Sequence, residues 1–473
     1  MDSVDIVDQE LYIGQFGDER LCRSGMLLYS RMIERSTVCL RRLSDDRATQ
    51  RRFHRFLEHH NVTPQEIIRH GSERTAKAAA GRHVLAIQDT SELDYSSHRL
   101  RTSGLGSISN HSGCGLLIHP TLAVDAQSNA CLGIVDQAAW VRDGPVSSSR
   151  SRRPIEEKES MRWVQGAQTA KERLHDAALV TVVADRESDI YEEWDRIPDG
   201  HTHLLTRARH DRQLEGSGTL SQWLAAQPVM ANMALDVPKR AAGKAFQSTD
   251  GGRSRKHTAH RAHMELRFGQ VSIARPQGCK ADHASITLRV IEVRESLDTV
   301  PPDELPIHWV LLTSHEIQAA ELALEVVGWY QQRWQIEQLF RTLKQQGLET
   351  ESSQLEQATE LLKLVSIATL TATRTLQLVN ARDGTTNQLA SDVFDDDSLA
   401  VLASLQPKLQ GKTTKLQNPH AADTLAWASW TIARLGGWTG SSREAKPGPI
   451  TMLHGQQRLD SMVQGWVLAK MWA

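Results

Sequence analysis

Between residues 83 and 185 the sequence four times builds a short apolar run and breaks it off at a polar residue. The runs are His83-Val84-Leu85-Ala86-Ile87-Gln88-Asp89, Gly115-Leu116-Leu117-Ile118-His119, Cys131-Leu132-Gly133-Ile134-Val135 and Ala178-Leu179-Val180-Thr181-Val182-Val183-Ala184-Asp185. Runs this short, closed by polar residues, read as strands, and the last is β-branched and apolar enough to be buried on both faces. After the polar segment Gly144 to Ser149, an amphipathic stretch from Pro154 to about Leu174 predicts a helix between the third and fourth strands. The order strand, strand, strand, helix, strand is that of an α/β fold with a mixed sheet. Two of the strands deliver an aspartate at their C-terminal end, Asp89 and Asp185. That end of a strand faces the ligand crevice in α/β sheets, where a rigidly held carboxylate can share a cation. A lone aspartate closing a strand also serves as a turn or cap residue, so each by itself leaves both readings open.

A third feature lies in Trp329-Tyr330-Gln331-Gln332-Arg333-Trp334-Gln335-Ile336-Glu337, continuing to Lys344. Tyr330, Arg333, Glu337 and Lys344 are separated by three, four and seven positions. At ~100° per residue they fall within about 60° of one another on a helix. A carboxylate flanked by two cations and a phenol can hold a metal while its neighbours grip phosphate oxygens. The same spacing also fits an exposed helix on which Arg333 pairs with Glu337 one turn away. Elsewhere, residues 15–80 read as short helices of a small basic domain, and about 206–310 as an inserted β-rich subdomain. A long helix is predicted from about Glu321 to Gln346. Beyond Gln354 the chain reads as helical, with a polar, acidic loop over 382–398, a Gly/Ser/Pro loop from Gly436 to Pro449 and a final helix from Leu453 to Met471.

Bulk charge names no partner, because Lys+Arg 55 against Asp+Glu 57 leaves −2 over 473 residues. Its distribution is more informative. From Arg20 to Arg82 there are 14 basic residues against 6 acidic ones, and Lys239–Ala262 carries seven against the single Asp250. Basic islands in a neutral chain suit a protein that touches a polyanion on particular faces, although a solvated surface would look the same. The five scattered cysteines include no C-x-x-C pair, which argues against a disulfide framework or thiolate zinc site and for a reducing compartment. Neither a signal peptide nor a membrane span is expected.

Tyr-x2-Arg-x3-Glu-x6-Lys resembles the signature of the insertion-sequence-four family of bacterial DDE transposases. Ile87-Gln88-Asp89-Thr90, Glu156-Glu157-Lys158-Glu159-Ser160 and Asp185-Arg186-Glu187-Ser188-Asp189-Ile190-Tyr191 resemble the same family, as does Arg458-Leu459-Asp460-Ser461-Met462-Val463-Gln464-Gly465-Trp466. The resemblance implies a ribonuclease H-like α/β catalytic core over 81–372 with a β-rich insertion at about 206–310. A helical DNA-binding domain over 1–80 and a helical dimerisation domain over 373–473 would flank it. It implies Asp89, Asp185 and Glu337 as a catalytic triad holding two Mg²⁺ ions, with Mn²⁺ able to substitute. It also implies DNA contacts from Tyr330, Arg333, Lys344, Arg207 and Arg341, with Trp309 stacking a flipped base; in the pattern alone Trp309 reads equally as a core strand residue. The expected partners are double-stranded DNA, as transposon ends and target, and a second copy of the chain in the DNA complex. The expected setting is the bacterial cytoplasm, at the nucleoid, with no membrane. The implied function is cut-and-paste transposition through a hairpin intermediate. Two alternatives are an inactive or domesticated DNA-binding relative that inhibits transposition, and a structure-specific nuclease of the same fold. For the final helix, the stripe Leu459, Met462, Val463 and Trp466 fits either a partner-binding surface or an intramolecular core.

Overall fold

The computed structural model describes residues 13–108, 113–142, 153–239, 258–345, 347–386, 388–441 and 444–472. Five of the seven basic residues of the Lys239–Ala262 island (Arg240, Lys244, Arg253, Arg255 and Lys256), and the Gly144–Ser149 segment, lie outside them. In chain order the elements are α1 (Glu19–Arg35), α2 (Leu40–Leu43), α3 (Arg47–Glu58), α4 (Pro64–Ala79), β1 (His83–Gln88), β2 (Ser91–Asp94), β3 (Gly106–Ser107), β4 (Cys114–Asp125) and β5 (Cys131–Trp140). There follow α5 (Met161–Arg173), β6 (Leu179–Ala184), α6 (Tyr191–Arg196), β7 (Thr202–Arg207), α7 (Leu220–Ala225), β8 (Ala231–Val237), β9 (His260–Ala274), β10 (Ser285–Glu295), β11 (His308–Thr313) and α8 (Ala320–Gln331). The chain continues with α9 (Trp334–Lys344), α10 (Ala358–Ala381), α11 (Asp396–Leu409), α12 (Leu425–Leu435) and α13 (Pro449–Trp472). The result is a mixed α/β fold in two compact units. One comprises Met1–Arg150, Gln165–Val180 and Gln332–Ala473; the other comprises Ser151–Val164 and Thr181–Gln331.

In the first unit β4 is the organising strand. β1 and β2 run antiparallel to it in one register, Gln88 opposite Thr121 and Ser91 opposite Ile118, so Asp89 falls opposite Pro120 and Thr90 opposite His119. The backbone bonds Ala126 N–H to His83 O and Tyr95 N–H to Cys114 O, both 2.9 Å, set the parity of the ladder. By that parity Asp89 and Pro120 occupy a hydrogen-bonding position. Proline has no N–H to give, so one of the two bonds cannot form, and regular strand is interrupted at Asp89 and Thr90 before β2 resumes it.

Gly133 of β5, at φ +144°, lies so close to α4 that a Cβ there would stand 2.2 Å from Thr75 Oγ1. α10 is apolar nearly all round and buried along most of its length, as a central core helix must be. Its hydroxyls stay satisfied by bonding back one turn, as Thr369 does to Val365 O and Thr373 to Thr369 O. Lys363, also on α10, donates to the carbonyls of Leu57 and His59 at the C-terminal end of α3, at 2.6 and 2.9 Å. Within the acidic run Asp392–Asp397, read from sequence as loop, Asp395–Asp397 instead supply the cap and first turn of α11. Asp395 accepts from Ser398 N–H at 2.7 Å, and Asp396 and Asp397 follow where carboxylates favour a helix N-terminus.

The second unit carries strands in the order β6, β7, β11, β10, β9, β8, of which β7–β11, β11–β10, β10–β9 and β9–β8 are antiparallel. Two helix readings change. The Pro154–Leu174 helix begins only at Met161, after a 3-10 turn at Ile155–Glu157. The Glu321–Gln346 helix is two helices, parted at Gln332 and Arg333. There Gln335 N–H bonds Gln332 O and Ile336 N–H bonds Arg333 O, three residues back instead of four. Gln346 lies outside the described residues.

Candidate active site

Asp89 is held on both carboxylate oxygens. Oδ1 accepts the N–H of Thr90 at 2.8 Å, and Oδ2 accepts Nη1 of Arg333 at 2.8 Å. The other guanidinium nitrogen, Nη2, donates to Glu337 Oε1. Arg333 stands 244 positions from Asp89 in sequence and sits at the break before α9, from which its side chain reaches both acids. Asp89 and Arg333 are mostly buried, whereas the Glu337 side chain is half exposed. The one-turn Arg333–Glu337 pair left open by the sequence is therefore present, and it is one half of a bridge. Asp89 and Glu337 thus turn carboxylate oxygens, the donor type a hard divalent cation takes, onto one guanidinium. Among the described residues, no group of three or more His, Cys, Asp or Glu is gathered closely enough to hold a metal ion.

Behind Asp89 stands a residue that sequence reasoning missed. His119, 1% exposed, places Nδ1 2.9 Å from Thr90 Oγ1 and Nε2 2.9 Å from Gln88 Oε1. Strand alternation puts Gln88 and Thr90 on one face and Asp89 on the other. A lone histidine in an apolar run gives no signal of this, because the pairing depends on the register of β1 and β2 against β4.

Lys344 closes α9. It lies 4.0 Å from Glu351, which also accepts the N–H of Asp94 at 3.0 Å. Burial holds the Lys344 ammonium below its ordinary pKa, against the smaller opposing pull of the Glu351, Glu92 and Asp94 charges. Arg341, three positions earlier, is exposed.

The second unit presents Asp185, Arg207, Trp309 and Tyr330. Asp185 follows β6 and caps a 3-10 turn over Arg186–Ser188, accepting Glu187 N–H at 2.7 Å. Two buried anchors fix that turn. Ser188 Oγ donates to Glu193 at 2.6 Å. Asp189 accepts Arg212 at 2.5 Å, together with the backbone N–H groups of Arg209 and His210 at 2.8 and 3.1 Å. Burial raises the Glu193 carboxyl to about 8; its bond from Ser188 opposes the rise and the charge of Asp189 adds to it. Arg207 is opposite Leu311 across β7 and β11, and its Nη2 donates to His308 O at 2.9 Å. The adjacent Trp309 is partly exposed, its ring centroid 6.0 Å from that of the buried Tyr330. Arg207, Trp309 and Tyr330 thus form one neighbourhood. The structure brings Asp89, Arg333 and Glu337 together in the first unit.

Residues 164–371 match the Transposase DDE domain family. The match takes in Asp185, Glu337 and the whole Tyr330–Lys344 stretch, while Asp89 lies N-terminal to it. A DDE domain implies nuclease or transposase chemistry in general, and such domains generally use divalent metals. The chain is also similar to piggyBac transposase in a cryo-EM structure of its synaptic complex with hairpin DNA. Identity is 10%, with 95% of this chain and 73% of that chain covered, at a TM-score of 0.37. The five cysteines are free, and among the described residues no helix is long and apolar enough to cross a membrane.

Proposed function

We propose that this protein is a cut-and-paste DNA transposase of the insertion-sequence-four family, cleaving transposon ends and joining them to target DNA. The observation that carries the reading is the convergence of Asp89 and Glu337 on Arg333, in a chain that also bears the DDE domain match. In this reading Asp89, Asp185 and Glu337 would hold two divalent ions, Mg²⁺ or in its place Mn²⁺. Such a pair supplies an activated attacking oxygen and a stabilised leaving 3′ oxygen for in-line displacement at phosphorus.

The chain's own groups do the rest. Arg333 neutralises two carboxylates that would otherwise repel each other, and its planar fork is also suited to phosphate oxygens. Lys344, Arg341 and Arg207 add positive charge for the DNA backbone. Tyr330 supports Trp309, on which a flipped base would stack, as a hairpin-forming strand requires. The basic helices α1–α4 would bind the terminal inverted repeats. The far end of α13 exposes Met462, Trp466 and Leu468, while Leu459 is buried and Val463 packs partly against the core. That exposed end suits pairing with a second copy in the DNA complex.

The test incubates the full chain with Mg²⁺ and DNA carrying the terminal repeats that flank its gene. Nicks, then hairpins, then joined products support the reading, and Glu337→Ala should abolish cleavage while end binding persists. Binding without any cleavage would instead identify an inactive relative. Nicks that never become hairpins or joined products would identify a structure-specific nuclease.

A further inference from the structure

We propose that His119 is a positioning residue for Asp89, fixing its carboxylate through the two residues on either side. The inference rests on the reading of Asp89 as a catalytic acid. Thr90 and His119 face each other at a non-hydrogen-bonded position of the ladder, where opposed side chains approach most closely. The imidazole uses both nitrogens there, one on Thr90 and one on Gln88, and nothing of it is left to water. A histidine that merely filled the core would need partners; it would not need them to be the two neighbours of the same aspartate.

The chain of contacts continues to the carboxylate. Thr90 is tied by its hydroxyl to His119 and by its own N–H to Asp89 Oδ1, so a shift of the Thr90 peptide turns the carboxylate. The missing donor at Pro120 leaves this place one ladder bond short, and the side-chain staple takes over that task. Gly166 of α5 closes over the staple from above. A Cβ there would stand 2.6 Å from Gln88 Oε1 and 3.5 Å from His119 Nε2, so a larger residue would push the amide off the ring. Because an amide oxygen only accepts, Nε2 carries the proton and donates to Gln88, while Nδ1 accepts from the Thr90 hydroxyl.

The experiment compares wild type with His119→Leu, His119→Gln, Thr90→Val and Asp89→Ala, all as full chains. It measures cleavage of terminal-repeat DNA against Mg²⁺ concentration, DNA binding without metal, and the ¹⁵N shifts of the His119 ring in the free protein. The ring should show the Nε2–H tautomer, and Thr90→Val should move the Nδ1 resonance. His119→Leu should raise half-saturating Mg²⁺ about tenfold or more and slow cleavage about 10²-fold, with metal-free DNA binding unchanged. His119→Gln should recover part of the loss, and Thr90→Val should fall between. A folded His119→Leu with wild-type metal dependence, or an Nδ1–H tautomer, overturns the proposal. If His119→Leu does not fold, Thr90→Val decides alone, and wild-type metal dependence in it is the overturning result. Loss of cleavage in Asp89→Ala beside a normal His119→Leu rejects the positioning role only. An Asp89→Ala protein that cleaves like wild type rejects the reading of Asp89 and this role with it.

Discussion

Asp89 and Asp185 both end a buried strand, yet they are held by opposite means. Asp185 is fixed locally, by a 3-10 turn it caps itself and by the Ser188–Glu193 and Asp189–Arg212 contacts, whose partners lie 5 and 23 positions apart. Asp89 is fixed at long range, by Arg333 from 244 positions away and by a staple to His119 across the sheet. A local anchor forms whenever its own segment folds. A long-range anchor exists only once the whole unit is assembled, so the Asp89 seat reports on global structure and the Asp185 seat on local structure.

The largest effect that would test this contrast is chemical. Asp89→Ala, Asp185→Ala and Glu337→Ala should each lower single-turnover cleavage by at least about 10⁴-fold, ~5.5 kcal/mol of barrier, with DNA binding retained. Equal losses at Asp89 and Asp185 would show that the two seats, however different, serve one reaction. Next is Arg212→Met, which leaves the Asp189 carboxylate buried without its cation. Breaking a buried pair in this way costs about 3–5 kcal/mol, read as a lowered midpoint of urea unfolding. Arg333→Met should cost less stability, because Glu337 is half exposed, and should cost more activity.

The Glu193 carboxyl gives a smaller, pH-dependent effect. In the folded chain it keeps its proton to about pH 8, whereas unfolded it releases it near 4.5. The unfolded state therefore loses a proton first, and the contribution of this group to stability falls as pH rises from about 4.5 to 8, then levels off. Thermal melts of Glu193→Gln should lack that decline. The smallest effect is at the exposed Arg341. Its replacement by alanine should weaken DNA binding less than about tenfold and reduce the salt dependence by roughly one counterion.

Much of the framework was legible because apolar runs ending in polar residues carry their own boundaries. Ile87 to Asp89 and Val182 to Asp185 mark the ends of β1 and β6 in any context. The strand readings at 115–119 and 131–135 likewise fall within β4 and β5. The break at Gln332–Arg333 was not legible, since the residues on either side keep one helical pattern. Arg333, which sits at that break, is bonded to Asp89, a residue far off in sequence. His119 was hidden for the same reason, and the acidic run at 392–397 concealed a helix start because aspartates favour caps and loops alike. For α13 the stripe of Leu459, Met462, Val463 and Trp466 looked uniform; only packing divides it into a buried and an exposed part.

Pro120 sets stability against activity at a single position. Its replacement by valine would restore the missing donor, and one added rung of the sheet is worth about 0.5–1.5 kcal/mol. The sturdier protein would draw Asp89 into a continuous strand and blunt the carboxylate's reach. A thermostabilised mutant with slower chemistry is what that imino ring now prevents.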